Sequence, residues 1–178
     1  MIGQDLSGDL REDLRHAASR VLERCRARGL TVATAESCTG GLVAGTLTEI
    51  AGSSDVVDRG FVTYSDAAKE AMLGVPAAIL KRHGAVSRET AEAMATGTLA
   101  HAPVDLAVAI TGIAGPGGGS ADKPVGLVNF AAAARDGRLI HREKRFGDVG
   151  RSEVRLRSVA EALAMLEALA GGDAEAPR

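Results

Sequence analysis

The chain is poor in aromatic side chains, with three Phe, one Tyr and no Trp among 178 residues. A module that reads nucleic acid by stacking bases needs aromatic platforms, so that class is disfavoured. There is no dominant charge sign either. Against 21 Lys and Arg stand 23 Asp and Glu, a net of -2, which advertises neither a nucleic-acid partner nor an anionic membrane surface. Cysteine is scarce: Cys25 and Cys38 make no disulfide framework and no CxxC pair. The four histidines, His16, His83, His101 and His141, are too far apart for paired ligation from one helix, so no metal is expected. Long apolar runs are missing as well. Asp5, Asp9, Arg11, Glu12, Asp13 and Arg15 interrupt the N-terminus, and the longest uncharged stretch, Leu106 to Ala121, is broken by glycines and Pro116. The setting expected from these absences is reducing and cytoplasmic, without a membrane partner.

What is present is an ordinary globular composition, 46% hydrophobic and 25% charged, in a chain long enough for one core that buries roughly 70% of the unfolded surface. One domain is expected over residues 1–170, followed by a disordered tail over 171–178. The spacing Leu10, Leu14, Ala17, Val21, Cys25 predicts a helix, opened by an Asp9-x-x-Glu12 cap and closed by Gly29. Thr31 to Ala35 reads as a strand, and Gly40 to Ile50 as the helix after a tight turn. Arg59 to Tyr64 reads as a second strand, followed by a helix from Asp66 to Leu73 that stops at Gly74. Pro76 is expected at the first position of a short helix, and Ser87 as the cap of a longer one.

Leu106 to Ile110 has no polar alternation, as in a strand covered on both faces. Gly126 to Ala134 and Leu139 to Phe146 flank an Asp136-Gly137 pair, a strong hairpin signal. A last helix is expected from Ser152 to Ala170, with Val154, Val159, Leu163, Leu166 and Leu169 inward. The fold class predicted is a three-layer α/β/α domain with a mixed sheet that ends in a β-hairpin.

Two glycine-rich segments follow the carboxyl ends of predicted strands, where open α/β sheets bind ligands. In Ala35-Glu36-Ser37-Cys38-Thr39-Gly40-Gly41, backbone N–H groups at a helix start can hold an oxyanion beside Ser37. Ser37 or Thr39 can equally serve as a plain helix cap, and Cys38 is either a second nucleophile or a small buried hydrophobe. A nucleophilic serine needs a base, and neither segment contains histidine. Lys69, just past another strand end, can serve only if its pKa falls well below the usual value; otherwise it is a solvated helix lysine. The second segment, Thr111 to Ser120, has neither Walker A nor GxGxxG spacing and reads as a generic nest for phosphate, carboxylate or ribose. Arg151 and Arg155, one helical turn apart, form a candidate phosphate clamp.

Four blocks, AESCTGG (35–41), AGSSDVVDRGFVTYSDAAKEAMLGV (51–75), HGAVS (83–87) and TGIAGPGGGSADKPVG (111–126), together closely resemble the CinA C-terminal domain family, the nicotinamide-nucleotide amidohydrolases. The resemblance spans about residues 10 to 170. It implies hydrolysis of the carboxamide of nicotinamide mononucleotide to nicotinate mononucleotide and ammonia, in pyridine-nucleotide recycling. It also implies a Ser/Lys pair, no metal and no cofactor, and it suggests a homo-oligomer. By motif, Ser37 matches the nucleophile and Lys69 the base, with Tyr64 beside them to hold the amine or relay its proton. Thr39, Gly40 and Gly41 match the loop that receives the substrate carbonyl. Thr111, Gly112, Ile113, Ala114 and Gly115 match the nucleotide wall, and Arg151 with Arg155 the phosphate side. The rival expectation is a catalytically silent nucleotide-binding or interaction module of the same fold.

Overall fold

A computed structural model describes residues 6–172, which fold in the order α1 (Leu6–Ala27), β1 (Val32–Glu36), α2 (Leu42–Thr48), β2 (Val57–Val62), α3 (Asp66–Leu73), α4 (Ala77–His83), α5 (Arg88–His101), β3 (Leu106–Gly112), β4 (Leu127–Ala134), β5 (Leu139–Arg145) and α6 (Arg151–Gly171). The strands form one sheet in the order β2-β1-β3-β4-β5. Pairings β1·β2 and β1·β3 are parallel; β3·β4 and β4·β5 are antiparallel. The sheet is therefore mixed, as the uncharged β3 and the Asp136-Gly137 turn led one to expect. Gly137 takes φ 98°, which the turn requires and a side chain resists.

The two faces of the sheet differ in bulk. Val32, Leu106, Val108, Ile110, Val128 and Phe130 pack on the side of α1, α2 and α6, whereas Ala35, Ala109, Ala131 and Ala133 meet Ala91, Met94 and Ala95 of α5. Small residues on that second face let α5 approach closely. Gly97 of α5 carries this contact on to α3, since a Cβ there would lie 2.1 Å from the Leu73 carbonyl oxygen. α3, which carries Lys69, is thereby held against α5.

Several boundaries differ from expectation. α1 already runs through Asp9, so Asp9 is no cap: Gly8 lowers helix propensity without ending the helix. α2 begins at Leu42 because Gly40 (φ 60°) and Gly41 (φ 95°) are left-handed. Pro76 is the N-cap of α4, outside its first turn, with ψ 128°. β2 ends two residues before Tyr64, where the chain turns into α3. Ser87 caps α5 as expected, accepting from Thr90 N at 3.1 Å, and Ser65 caps α3, accepting from Ala68 N at 3.1 Å. The five inward residues named for α6 are all buried. The expected tail lies outside the described residues beyond 172, and Gly171 is still helical. Among the described residues no helix is long and apolar enough to cross a membrane.

Candidate active site

At the carboxyl ends of β1 and β3 the chain encloses a cavity of about 270 Å3. Ser37 enters it from the turn after β1, whose position is tied to the neighbouring strand by the Ser37 N–H, which donates to the Ile110 carbonyl at 2.9 Å. Lys69 enters from the first turn and a half of α3, a helix whose start Ser65 caps and whose end Gly74 closes at φ 65°. The two side chains meet: Lys69 Nζ lies 3.3 Å from Ser37 Oγ and donates to the Thr63 carbonyl at 2.9 Å. Lys69 is only 1% exposed. Burial lowers its pKa from the usual 10.5, opposed by the negative charge of Asp66 and more weakly by Cys38. The reading of Lys69 as a solvated surface lysine is excluded by that burial.

The turn carrying Ser37 owes its shape to a group that local pattern reading did not single out. Glu36 is fully buried, and its carboxylate accepts from the N–H groups of Gly41, Val43 and Ala44 at 2.9 to 3.0 Å and from Thr34 Oγ1 at 3.2 Å. The start of α2 is thus capped by Glu36 and by neither Ser37 nor Thr39. The same fact corrects the expectation that this helix start holds an oxyanion: a carboxylate already occupies those donors. Among the described residues the N–H of Cys38 donates to no other residue, and Cys38 lines the cavity. Glu36→Gln puts an amide N–H against backbone donors, and is expected to lower the unfolding free energy by about 1 to 3 kcal/mol, measured by urea denaturation. An unchanged midpoint would contradict this account of the turn.

Of the residues expected to bind substrate, Thr111, Gly112, Ile113, Ala114, Gly115 and Arg151 line the cavity. Thr111 is held by its hydroxyl, which donates to the Ala85 carbonyl at 2.6 Å. Gly112 must be glycine, because a Cβ there would lie 2.7 Å from Val128 Cγ2 and 2.9 Å from the Leu127 carbonyl oxygen. Thr39, Gly40 and Gly41 do not line the cavity: Thr39 is fully buried, and the two glycines serve the turn. Arg155 does not line it either. Its guanidinium donates to the carbonyls of Cys38 at 3.1 Å and Thr39 at 2.9 Å, so it braces the Ser37 turn. Arg151 bridges two walls, donating to the Gly115 carbonyl at 2.8 Å and to Tyr64 Oη at 2.7 Å. Tyr64 lines the cavity with its ring largely exposed, but its hydroxyl sits on Arg151 and not on the Lys69 amine.

The structure adds Cys38, Asp66, Ala85, Val86, Gly117 and Gly118 to the lining. Ala85 and Val86 belong to the HGAVS block, and only their packing over Thr111 brings them here. Cys38 is 4% exposed and its thiol is pushed up to about 12, by burial first and then by Glu36, so it stays protonated at neutral pH. Among the described residues no group of three His, Cys, Asp or Glu side chains is arranged to hold a metal ion. A wider groove of about 620 Å3, between α3, α4 and α5, includes Glu89, Glu92 and His101 but neither Ser37 nor Lys69.

Residues 14–170 match the family model of the CinA C-terminal domain. The chain is 51% identical over 150 residues to a CinA-like protein of Synechococcus sp., covering 84% of this chain but 36% of that protein, so it spans about a third of such longer relatives. It is 51% identical over 155 residues to the nicotinamide-nucleotide amidohydrolase PncC of Escherichia coli, covering 86% of this chain and 93% of that one. Among solved structures it is similar to the competence/damage inducible protein CihA of Agrobacterium tumefaciens, with a TM-score of 0.87 and 59% identity over 88% of this chain and 95% of that chain.

Proposed function

Because the chain belongs to the CinA C-terminal domain family, we propose that it hydrolyses the carboxamide of nicotinamide mononucleotide, with Ser37 as nucleophile and Lys69 as its base. The observation that carries the reading is the buried Lys69 amine 3.3 Å from Ser37 Oγ, inside a cavity of mononucleotide scale. Two relatives that the chain matches over most of their length bear the name nicotinamide-nucleotide amidohydrolase.

In this mechanism neutral Lys69 takes the Ser37 proton as Oγ attacks the carboxamide carbon. The carbonyl oxygen becomes an oxyanion, for which the N–H of Cys38, the residue after Ser37, is the nearest backbone donor in sequence. Lys69 then returns the proton to the leaving nitrogen, ammonia departs, and an ester joins Ser37 to the nicotinoyl group. Water attacks that ester as Lys69 accepts its proton, releasing nicotinate mononucleotide and restoring Ser37. Arg155 and Glu36 act on geometry alone, one holding the carbonyls of the turn and the other its helix start.

Incubating the purified protein with nicotinamide mononucleotide and measuring ammonia tests the reading directly. Tight binding without ammonia would leave a silent nucleotide-binding module. A second measurement concerns the far end of the substrate. Besides Lys69, Arg151 is the one basic side chain among the described residues lining the cavity, and a charge-assisted phosphate contact contributes about 1.5 to 3 kcal/mol. Arg151→Ala is therefore expected to lower kcat/KM for the mononucleotide roughly tenfold to a hundredfold, while the poorer substrate nicotinamide riboside is little affected. Equal losses for both substrates would place the effect in the Tyr64–Arg151–Gly115 bridge and not in phosphate binding.

A further inference from the structure

Asp66 is the sole carboxylate among the described residues that line the cavity, where the basic groups are Lys69 and Arg151. Its carboxylate forms no hydrogen bond or ion pair with any described residue, and the cap of α3 is supplied by Ser65, so local structure leaves it unengaged. Its place in the fold is specific. Asp66 and Lys69 are three residues apart on α3, which puts them on one helix face a single turn apart, and both face the cavity. The field of Asp66 reaches the amine, raising its proton affinity against the effect of burial.

The geometry points to Asp66 as the residue that selects a cationic pyridinium ring, favouring the charged nicotinamide nucleotide over its neutral reduced form and over the carboxylate product. This assignment rests on the proposed amidohydrolase reading. The ring nitrogen of a nicotinamide nucleotide carries a fixed positive charge, and the ring is attached directly to the carbon that Ser37 attacks. An acid one turn from Lys69 therefore lies on the side of the reacting end, while Arg151 supplies the opposite charge for a phosphate. Hydrolysis turns the neutral carboxamide into a carboxylate beside Asp66, and like-charge repulsion then assists release.

Turnover assays would mix this effect with the influence of Asp66 on Lys69, so the test is binding to Ser37→Ala and to Ser37→Ala/Asp66→Asn, by calorimetry at one pH and low ionic strength. The ligands are nicotinamide mononucleotide, its reduced 1,4-dihydro form, which has nearly the same outline without the ring charge, and nicotinate mononucleotide. Asp66→Asn is expected to weaken the cationic ligand by roughly twofold to fivefold, to leave the reduced form unchanged, and to tighten the carboxylate product. Equal changes for oxidised and reduced forms, no change for any ligand, or loss of binding for all three would overturn the assignment. A parent protein that releases no ammonia from nicotinamide mononucleotide, with a Ser37→Ala variant that binds none of the three, marks failure of the proposed function itself; hydrolysis by the parent without the charge dependence marks failure of this inference alone.

Discussion

Ser37→Ala is expected to lower kcat for nicotinamide mononucleotide by at least about three orders of magnitude while the dissociation constant changes little, because the lost group acts in the transition state. The neighbouring thiol is no substitute. Burial pushes the Cys38 thiol up to about 12, so it stays protonated at neutral pH, and the Lys69 amine makes its side-chain hydrogen bond to Ser37 Oγ. Single-turnover ammonia release with calorimetric binding measures both quantities. Should Ser37→Ala retain near-normal turnover, the nucleophile would lie elsewhere and Cys38→Ala would be the next variant.

Lys69→Arg is expected to be nearly as inactive as Lys69→Ala, each losing about two to four orders of magnitude in kcat/KM. A guanidinium keeps the charge yet cannot give up its proton, so an active arginine variant would mean that this position supplies charge alone. The pH profile carries the same point. Burial disfavours the ammonium, so the neutral base forms at a pH below that of an ordinary lysine, and kcat/KM should rise with pH through an apparent pKa clearly under 10.5. The linked effect on stability has a definite sign. Between the lowered folded pKa and 10.5, the unfolded chain binds more protons than the folded one, so stability contributed by this site increases with pH. Lys69→Met removes that dependence and is expected to unfold at higher denaturant while releasing no ammonia, as the buried amine no longer has to shed its proton on folding. A profile that rises only near 10.5 would contradict a neutral base.

By itself the sequence determined most of the layer architecture. An uncharged run such as Leu106 to Ile110 is stable only where helices cover both faces, Ser87 caps through a bond three residues away, and Asp136-Gly137 supplies a turn that left-handed geometry favours. These are interactions of short range, and the residues that make them stand side by side in the chain. The family resemblance also named Ser37 and Lys69, 32 positions apart, but their contact is a property of packing. It exists because the alanine face of the sheet draws in α5 and Gly97 lets α3 rest on α5. The division of labour between Arg151 and Arg155 was equally illegible: one turn apart on α6, they reach opposite sides of the Ser37 turn, one to Tyr64 and Gly115, the other to Cys38 and Thr39. Glu36 is the sharpest case. A glutamate beside Ser37 carries no local mark of where its carboxylate goes. Only the bend of Gly40 and Gly41 brings the α2 N–H groups back onto it, so those donors are already engaged by the carboxylate.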